Sequence, residues 1–424
     1  MEALVSGAHE MAAWKRAQGD GGGRREKSCL EFVTPRGVRW SIRNHLLSGI
    51  TMQQWMCLMW TYAREIAWLG YAHRLVFLSV MSVMNSGAAV VERIVFGRDI
   101  ARMRVPSRPL IILGHPRTGT THLHNLLSRD DARFAFASTL DVGFPSSCVL
   151  MGAGGEPLRA LLSPFLDETR PMDAMRLDWT LPQEDELAVN QLTGGTVSPY
   201  MAVCFPSAAE RLEPFYALQQ SDGCSIQQKR TWIRAFMHFM QKVVLRWHHT
   251  HPHAHESPRL LLKSPVHTAR IPLLLEMFPD AQFVYIHRNP LDVMRSAVHM
   301  ANTYYHFSAL QTPRDDALET FIVDQFTLLT RRYLRDRSMI AKEHLVEISF
   351  DELEADPVAT LRRIYVDLQL GDNFDEDMVP KVKAYIDENN LGNFKKNQYA
   401  PLNREASQLI RQSCPEAFNA FGYS

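Results

Sequence analysis

The stretch Leu110-Ile111-Ile112-Leu113-Gly114-His115-Pro116-Arg117-Thr118-Gly119-Thr120-Thr121-His122-Leu123 limits the fold of this chain more than any other. Four apolar residues in a row, closed by glycine, read as a strand buried on both faces. The glycine-bounded turn that follows leads into a helix that begins with two threonines. A strand, a tight loop and a helix start form a cradle for an anion, because backbone N–H groups point at the ligand and the helix dipole favours negative charge. Gly114 and Gly119 have the spacing of the G-x-x-x-x-G-K-[ST] loop, and Thr121 fills its last position. Thr120 stands where that loop carries its lysine, and the nearby cation is Arg117, inside the loop. The expected ligand is therefore a phosphate compound other than ATP or GTP.

Two further blocks have the same strand-then-motif form. Phe283 to His287 is a short apolar strand, followed by Arg288-Asn289-Pro290 and, eight positions after the arginine, Ser296. Pro290 suits the first turn of a helix, where its missing N–H has no partner to lose, and that helix places Ser296 two turns in. Arg288 can fork two N–H donors onto phosphate oxygens, with Ser296 adding a hydroxyl; read alone, Arg288 serves equally as a helix-start ion pair. Between these blocks, Arg259 to Leu262 reads as a strand ending in Lys263-Ser264-Pro265-Val266-His267, and Thr268 to Phe278 has the apolar spacing of a packed helix.

In this order the blocks resemble the sulfotransferases that use 3′-phosphoadenosine-5′-phosphosulfate (PAPS). Their loop reads P-[KR]-[ST]-G-T-T, matched by Pro116-Arg117-Thr118-Gly119-Thr120-Thr121. Lys-Ser-Pro-x-His, Arg170-Pro171-Met172-Asp173, Leu181-Pro182-Gln183-Glu184-Asp185-Glu186 and the terminal Asn397-Gln398-Tyr399 are similar to one large subfamily, and tyrosylprotein sulfotransferases carry a comparable Lys-x-Pro element. The resemblance runs from about residue 35 to the end. It implies that His115, Pro116, Arg117, Thr118, Gly119, Thr120 and Thr121 hold the phosphosulfate, and that Arg288 and Ser296 hold the 3′-phosphate. Arg117 would then replace the loop lysine of cytosolic sulfotransferases and match charge on the leaving oxygen, while Lys263 shares that role or donates a proton. PAPS is the expected co-substrate, with no metal.

Composition bounds the rest. The chain has 424 residues, 46% of them hydrophobic, enough to bury a large core. Lys+Arg and Asp+Glu are both 46, so no global basic field invites nucleic acid. The six cysteines are scattered without a C-x-x-C pair, which points to a reducing compartment rather than to zinc or a disulfide framework. His248, His249, His251, His253 and His255 form a dense run. Imidazoles are good ligands, but Pro252 and the alternation read as an exposed connector, and transfer from PAPS needs no metal.

Alternation of strands at 109–113, 259–263, 282–287 and 345–349 with helices predicts an α/β fold, a P-loop-like central parallel sheet flanked by helices. Both phosphate motifs then fall at the carboxyl ends of strands. Asp356-Pro357 opens another helix through about Leu368. Residues 1–30 are polar and glycine-rich and read as a disordered tail. Residues 31–105 read as a helical region, 106–424 as the catalytic domain, and 140–258 as an insertion that shapes the acceptor pocket. Leu75 to Val91 is an uncharged, apolar-leaning stretch of 17 residues, marginal for a span. With Arg64, Arg74, Arg93 and Arg98 around it and tryptophans nearby, its first reading is a monotopic helical pair at a membrane surface on a cytoplasmic enzyme. A helical cap packed on the domain comes second, and a single span with the domain in a secretory lumen third.

The acceptor is expected to be a hydroxyl, hydrophobic or lipid-like, and needs a base. Asp141 follows the first strand–loop–helix unit. Glu184 sits with Asp185 and Glu186 in a charge run that also suits a solvated helix start. His124, one turn past Thr120 and Thr121, is the third candidate, or a brace for the loop. Two other classes compete: a kinase-like phosphotransferase, which lacks the lysine and magnesium acid it needs, and a non-catalytic membrane-associated protein, which predicts eroded cofactor residues where Arg117, Lys263, Arg288 and Ser296 are intact. Oligomeric state and the acceptor's identity are not encoded in these motifs.

Overall fold

The computed structural model describes residues 28–33, 40–43, 45–163, 166–167, 169–170, 172–173, 175–254, 256–389, 399 and 401–424. Most of the polar tail, together with Pro171, His255, Asn397 and Gln398, lies outside the described residues. Five parallel strands form the sheet: β1 (Leu110–Leu113), β2 (Phe134–Ala135), β3 (Arg259–Lys263), β4 (Gln282–His287) and β5 (Leu345–Ser349), in the order β2-β3-β1-β4-β5. Four were expected from the alternation of strands and helices; β2 is two residues long and has no pattern to announce it.

Alternate residues of each strand point to opposite faces, and the core divides accordingly. Ile111, Leu113, Leu260, Leu262, Phe283 and Tyr285 face one cluster; Leu110, Ile112, Leu261, Val284 and Ile286 face the other. β1 lies between β3 and β4, so the three motif-bearing loops leave three adjacent strands at the same sheet edge.

The helices that matter for the site are α1 (Met52–Thr61), α2 (Ala72–Arg102), α3 (Thr120–Leu127), α4 (Asp185–Leu192), α5 (Ile226–Thr250), α6 (Pro290–Met300) and α7 (Pro357–Asp367). α6 starts as its sequence dictates: the Asn289 side chain accepts from the Leu291 N–H at 3.0 Å, and Pro290 takes the first helical position. In α7 the Asp356 side chain caps the Ala359 N–H at 2.9 Å. The K-S-P block departs from the single helix expected over 268–278. Pro265–Ala269 is one 3₁₀ turn, and the α-helix spans Ile271–Met277. The histidine run also differs from an exposed connector at its start. His248 and His249 belong to the last turn of α5, and His251 stacks on Trp247 with ring centroids 4.5 Å apart. Among the described residues, no group of three or more His, Cys, Asp or Glu is arranged to hold a metal.

The amino-terminal helices share the core of the sheet domain: Trp55, Leu58, Leu75, Leu78 and Ile100 belong to the same cluster as Ile111 and Phe283. α2 is packed with its polar side inward. Arg74 donates to the carbonyls of Ser41 (3.0 Å) and Ala309 (2.6 Å), and Asn85 to those of Ser48 and Ile50. Glu92 accepts from the N–H groups of Val149 and Leu150 and pairs with Lys242 at 2.7 Å. Pulling α2 away into lipid would carry Arg74 and Glu92 off without their partners and leave the buried Lys242 with the Pro145 carbonyl but no counter-charge, at several kcal/mol for each broken charge pair. These anchors fix α2 on the domain, against its use as a lone span.

Candidate active site

The loop after β1 is held open by backbone conformations that side chains resist. Gly119 caps α3 at φ 98°, and a Cβ there would come within 2.4 Å of the Phe350 ring. Arg117 sits at φ 77°, a left-handed conformation costly for a non-glycine residue. Thr118 ties the loop to itself through its hydroxyl on the His115 carbonyl at 2.8 Å. Thr268, from the K-S-P block, accepts from the Gly114 N–H at 2.8 Å and donates to the Gly114 carbonyl at 3.1 Å. Two motifs 154 residues apart are thus clamped together. The buried His115 ring lies with Nδ1 2.6 Å from the Pro116 carbonyl, and burial pulls its pKa down to about 3. A neutral ring must donate there.

Arg288 and Ser296 converge on the loop from α6. Ser296 is fully buried; its hydroxyl donates to Tyr399 Oη at 3.0 Å and accepts from Arg117 Nε at 2.9 Å. Arg288 donates to the Arg117 carbonyl at 3.4 Å and lies over the Phe350 ring, 4.3 Å from its centroid. The structure thus brings the two expected phosphate motifs together at Arg117. The Arg117 guanidinium also donates to Asp173 at 2.8 Å. Asp173 would be raised by burial, but Arg170 and Arg117 outweigh that and hold it below the usual carboxylate range.

Lys263 ends β3 almost fully buried. Its ammonium donates to Glu184 at 2.8 Å and to the Thr121 hydroxyl at 3.3 Å. Burial lowers its pKa, partly offset by Glu184. Glu184 accepts from Lys263 on one oxygen and from the Tyr200 hydroxyl on the other. Burial pushes the Glu184 pKa up, but the lysine's charge and both hydrogen bonds outweigh it, so the carboxyl stays below its ordinary value and ionised. Tyr200 is pushed well above the usual phenol range by burial and by Glu184, so it remains a donor.

The two acids beside Glu184 do different work. Asp185 accepts from the Lys263 N–H (3.1 Å) and the Ser264 hydroxyl (3.1 Å), and its oxygen lies 2.7 Å from His267 Nε2. Glu186 takes both arms of Arg270, at 2.6 and 3.2 Å, with Trp232 Nε1 and the Ser198 hydroxyl. Both are buried, so the run is not a solvated helix start. It is the latch that seats α4 on the K-S-P block and leaves Glu184 facing inward.

A cavity of about 710 Å³ meets this cluster. Its wall is apolar, from Phe77, Met81, Leu158, Met172, Trp179 and Tyr304 among others, and Pro116 and Pro265 bring both motifs to its edge. Among the described residues, Glu184 is the one carboxylate on that wall. Asp141 is elsewhere: fully buried, it closes a capping box with Ser138 (2.8 and 2.7 Å onto its Oδ2) and lies 2.9 Å from Arg246. His124 is also fully buried, edge-on to Phe136, and is held well below its ordinary pKa, first by burial and then by Lys263. Tyr200 and His45, both on the wall, carried no sequence signal; no spacing links them to a motif.

Comparison with known proteins identifies the family. The profile of the Sulfotransferase family matches residues 109–375. The chain belongs to the sulfotransferase family. It is 29% identical over 387 residues, covering 88% of this chain and 92% of the other, to omega-hydroxy-beta-dihydromenaquinone-9 sulfotransferase Stf3 of Mycobacterium bovis, and equally to that of Mycobacterium tuberculosis. Among solved structures it resembles the sulfotransferase STF1 of Mycobacterium tuberculosis H37Rv (14% identity, TM-score 0.55, 97% of each chain). It also resembles STF9 of Mycobacterium avium (18% identity, TM-score 0.55, 95% of this chain and 99% of that one). These two show the fold. The sulfotransferase assignment makes the chain an enzyme that moves a sulfo group, and it leaves open what each side chain does.

Proposed function

We propose that this sulfotransferase moves the sulfo group of PAPS to the hydroxyl of a long, apolar alcohol, with Glu184 as the base. The observation that carries this is the position of Glu184: the one carboxylate on the described wall of an apolar cavity, bonded to a lysine that also reaches the phosphate loop. A cavity of this size suits a small-molecule acceptor, and its lining favours a hydrocarbon body over a sugar or peptide. The relative Stf3 is named for an ω-hydroxy-β-dihydromenaquinone-9, which fits this class.

The loop N–H groups, with Thr120 and Thr121, hold the 5′-phosphosulfate, and Arg288 and Ser296 hold the 3′-phosphate. Lys263, already within 3.3 Å of Thr121, places its charge where negative charge gathers on the sulfo and leaving oxygens. Glu184 takes the hydroxyl proton as the acceptor oxygen forms its bond to sulfur and the bond to the 5′-phosphate oxygen breaks. Tyr200 keeps donating to the Glu184 oxygen that does not receive the proton. Arg117 faces Ser296 and Asp173, so we assign it to fixing the nucleotide's 3′ side, and Lys263 to the transfer itself. Asp141 and His124 are then structural: one caps a helix and the other is a buried neutral ring.

Incubation with isotopically labelled PAPS and a set of alcohols tests this. Label is expected in long-chain and polyprenyl primary alcohols. Label confined to sugars or to tyrosyl peptides would overturn the acceptor class, and consumption of ATP in place of PAPS would overturn the donor.

A further inference from the structure

The outer face of α2 reverses the usual order of an amphipathic helix on a protein. Between Arg74 and Glu92 its polar residues Arg74, Ser82, Asn85 and Glu92 are buried, and the residues it shows to solvent there are apolar. Val76, Val80, Val83, Val90 and Ile94 are spaced by four, three, seven and four residues, with the exposed Gly87 filling the long step, and all are exposed, Ile94 by 78%. At 1.5 Å per residue the stripe is about 27 Å long. Scattered exposed valines need no explanation, but a continuous stripe does.

We infer that this stripe is a docking surface for the leaflet of an anionic lipid bilayer, and that the acceptor enters the cavity from that leaflet past Val80 and Met84. The inference deepens the proposed function and rests on its apolar acceptor. Two observations commit the face to lipid. First, Val80 and Met84 are more than half exposed and also line the cavity, so the stripe and the acceptor pocket are one continuous apolar surface. A second copy or another protein seated there would close the entrance, whereas lipid would supply it. Second, the surrounding charge is complementary to anionic headgroups. Arg64, Arg93, Arg98, Arg102 and Arg104 are exposed around the helix, against the exposed Asp99; Glu92 is buried on Lys242. Trp60, in α1, and Leu69, before α2, are exposed by 87% and 97%, the indole suited to the headgroup level and the leucine to the acyl boundary. The helix lies on the surface rather than across it, because Arg74, Asn85 and Glu92 hold its other face to the domain.

The test is flotation of the full chain with phosphatidylglycerol–phosphatidylcholine vesicles and with phosphatidylcholine alone, beside the variant Val83→Glu/Val90→Glu/Ile94→Glu. These three positions are exposed and outside the cavity wall, so the fold should hold, checked by circular dichroism and melting. Wild type is expected to float with the anionic vesicles, and the variant to lose partition by on the order of 100-fold. Turnover of a detergent-free, water-soluble alcohol should be unchanged, while turnover of a vesicle-embedded long-chain alcohol falls by about the same factor. Wild type that stays at the bottom with anionic vesicles overturns the inference. So does a wild-type dimer in light scattering that the triple variant makes monomeric. Flotation needs no turnover, so its failure is distinct from failure of the sulfo-transfer reading.

Discussion

Glu184→Gln keeps the shape of the side chain, and its amide oxygen can still accept from Lys263, but it cannot take a proton. If Glu184 is the base, kcat should fall by ~10²–10⁴-fold, or roughly 3–5 kcal/mol of barrier. The rest of the site bounds the side effects. Lys263 keeps an acceptor and Thr121 but loses the opposite charge at 2.8 Å, and the Tyr200 hydroxyl loses its carboxylate acceptor, a stability cost of about 1.5–3 kcal/mol. That is tolerable for a chain of this size. Removing a negative charge beside the phosphate loop cannot weaken anion binding electrostatically, so adenosine 3′,5′-bisphosphate should bind as tightly as before or more so. Single-turnover kinetics with labelled PAPS reads the first quantity, and calorimetry reads the second. A kcat within about threefold of wild type would remove Glu184 from the chemistry. A loss of bisphosphate affinity as large as the loss of kcat would make it a binding residue. Because the pKa of Glu184 is held below its ordinary value, the carboxylate is present above that value and is lost only as pH falls through the lower one. Wild-type kcat should therefore be flat on the acid side down to about pH 5.

Other outcomes follow from the same contacts. Arg288→Ala and Ser296→Ala should each weaken the 3′,5′-bisphosphate relative to adenosine 5′-monophosphate, with the arginine costing about 1.5–3 kcal/mol; equal affinities for both nucleotides in wild type would refute the 3′ clamp. Gly119→Ala meets the Phe350 ring and a left-handed backbone and should cost about 1–3 kcal/mol in urea unfolding while loosening donor binding; an unchanged midpoint would contradict the strained loop. His45, His115 and His124 are buried, with pKa values lowered by burial to about 3 for the first two and well below normal for the third. They bind protons only on unfolding, so stability should drop as pH falls below 6.5, by about 4 kcal/mol between pH 7.5 and 5.5 for three groups; a urea midpoint constant over that range would show that they are not buried neutral.

The sheet was legible because β1, β3 and β4 are apolar runs that end in loop chemistry, as a buried parallel strand must be, while the edge strand β5 alternates, with Val346 and Ile348 buried. The phosphate loop and Pro290 were equally plain, since glycine spacing and a first-turn proline are local facts. The base was not. Glu184 is the extended cap residue and Asp185 and Glu186 are the first two helical ones, so their side chains leave in different directions, Glu184 to the cavity and the other two to Ser264, His267 and Arg270. Which acid faces the cavity depends on those three partners, about 80 residues away. Asp141 could have been excluded: Ser138 and Asp141 have the S-x-x-D spacing of a capping box, a structural use that competes with catalysis. The polarity of α2 was also readable in principle. Arg74, Ser82, Asn85 and Glu92 share one side of the helix, but only packing shows that this side is the inner one.

A single-turnover experiment decides whether a sulfo group passes from PAPS to a long-chain alcohol at Glu184. Labelled PAPS and a polyprenyl alcohol with a terminal hydroxyl are mixed with wild type and with Glu184→Gln, and the labelled product is counted over a single turnover. Wild type should place the label on the alcohol oxygen, and Glu184→Gln should do so at least ~100-fold more slowly with its donor site still filled. No label on the alcohol with wild type, or equal rates for the two proteins, would contradict this mechanism.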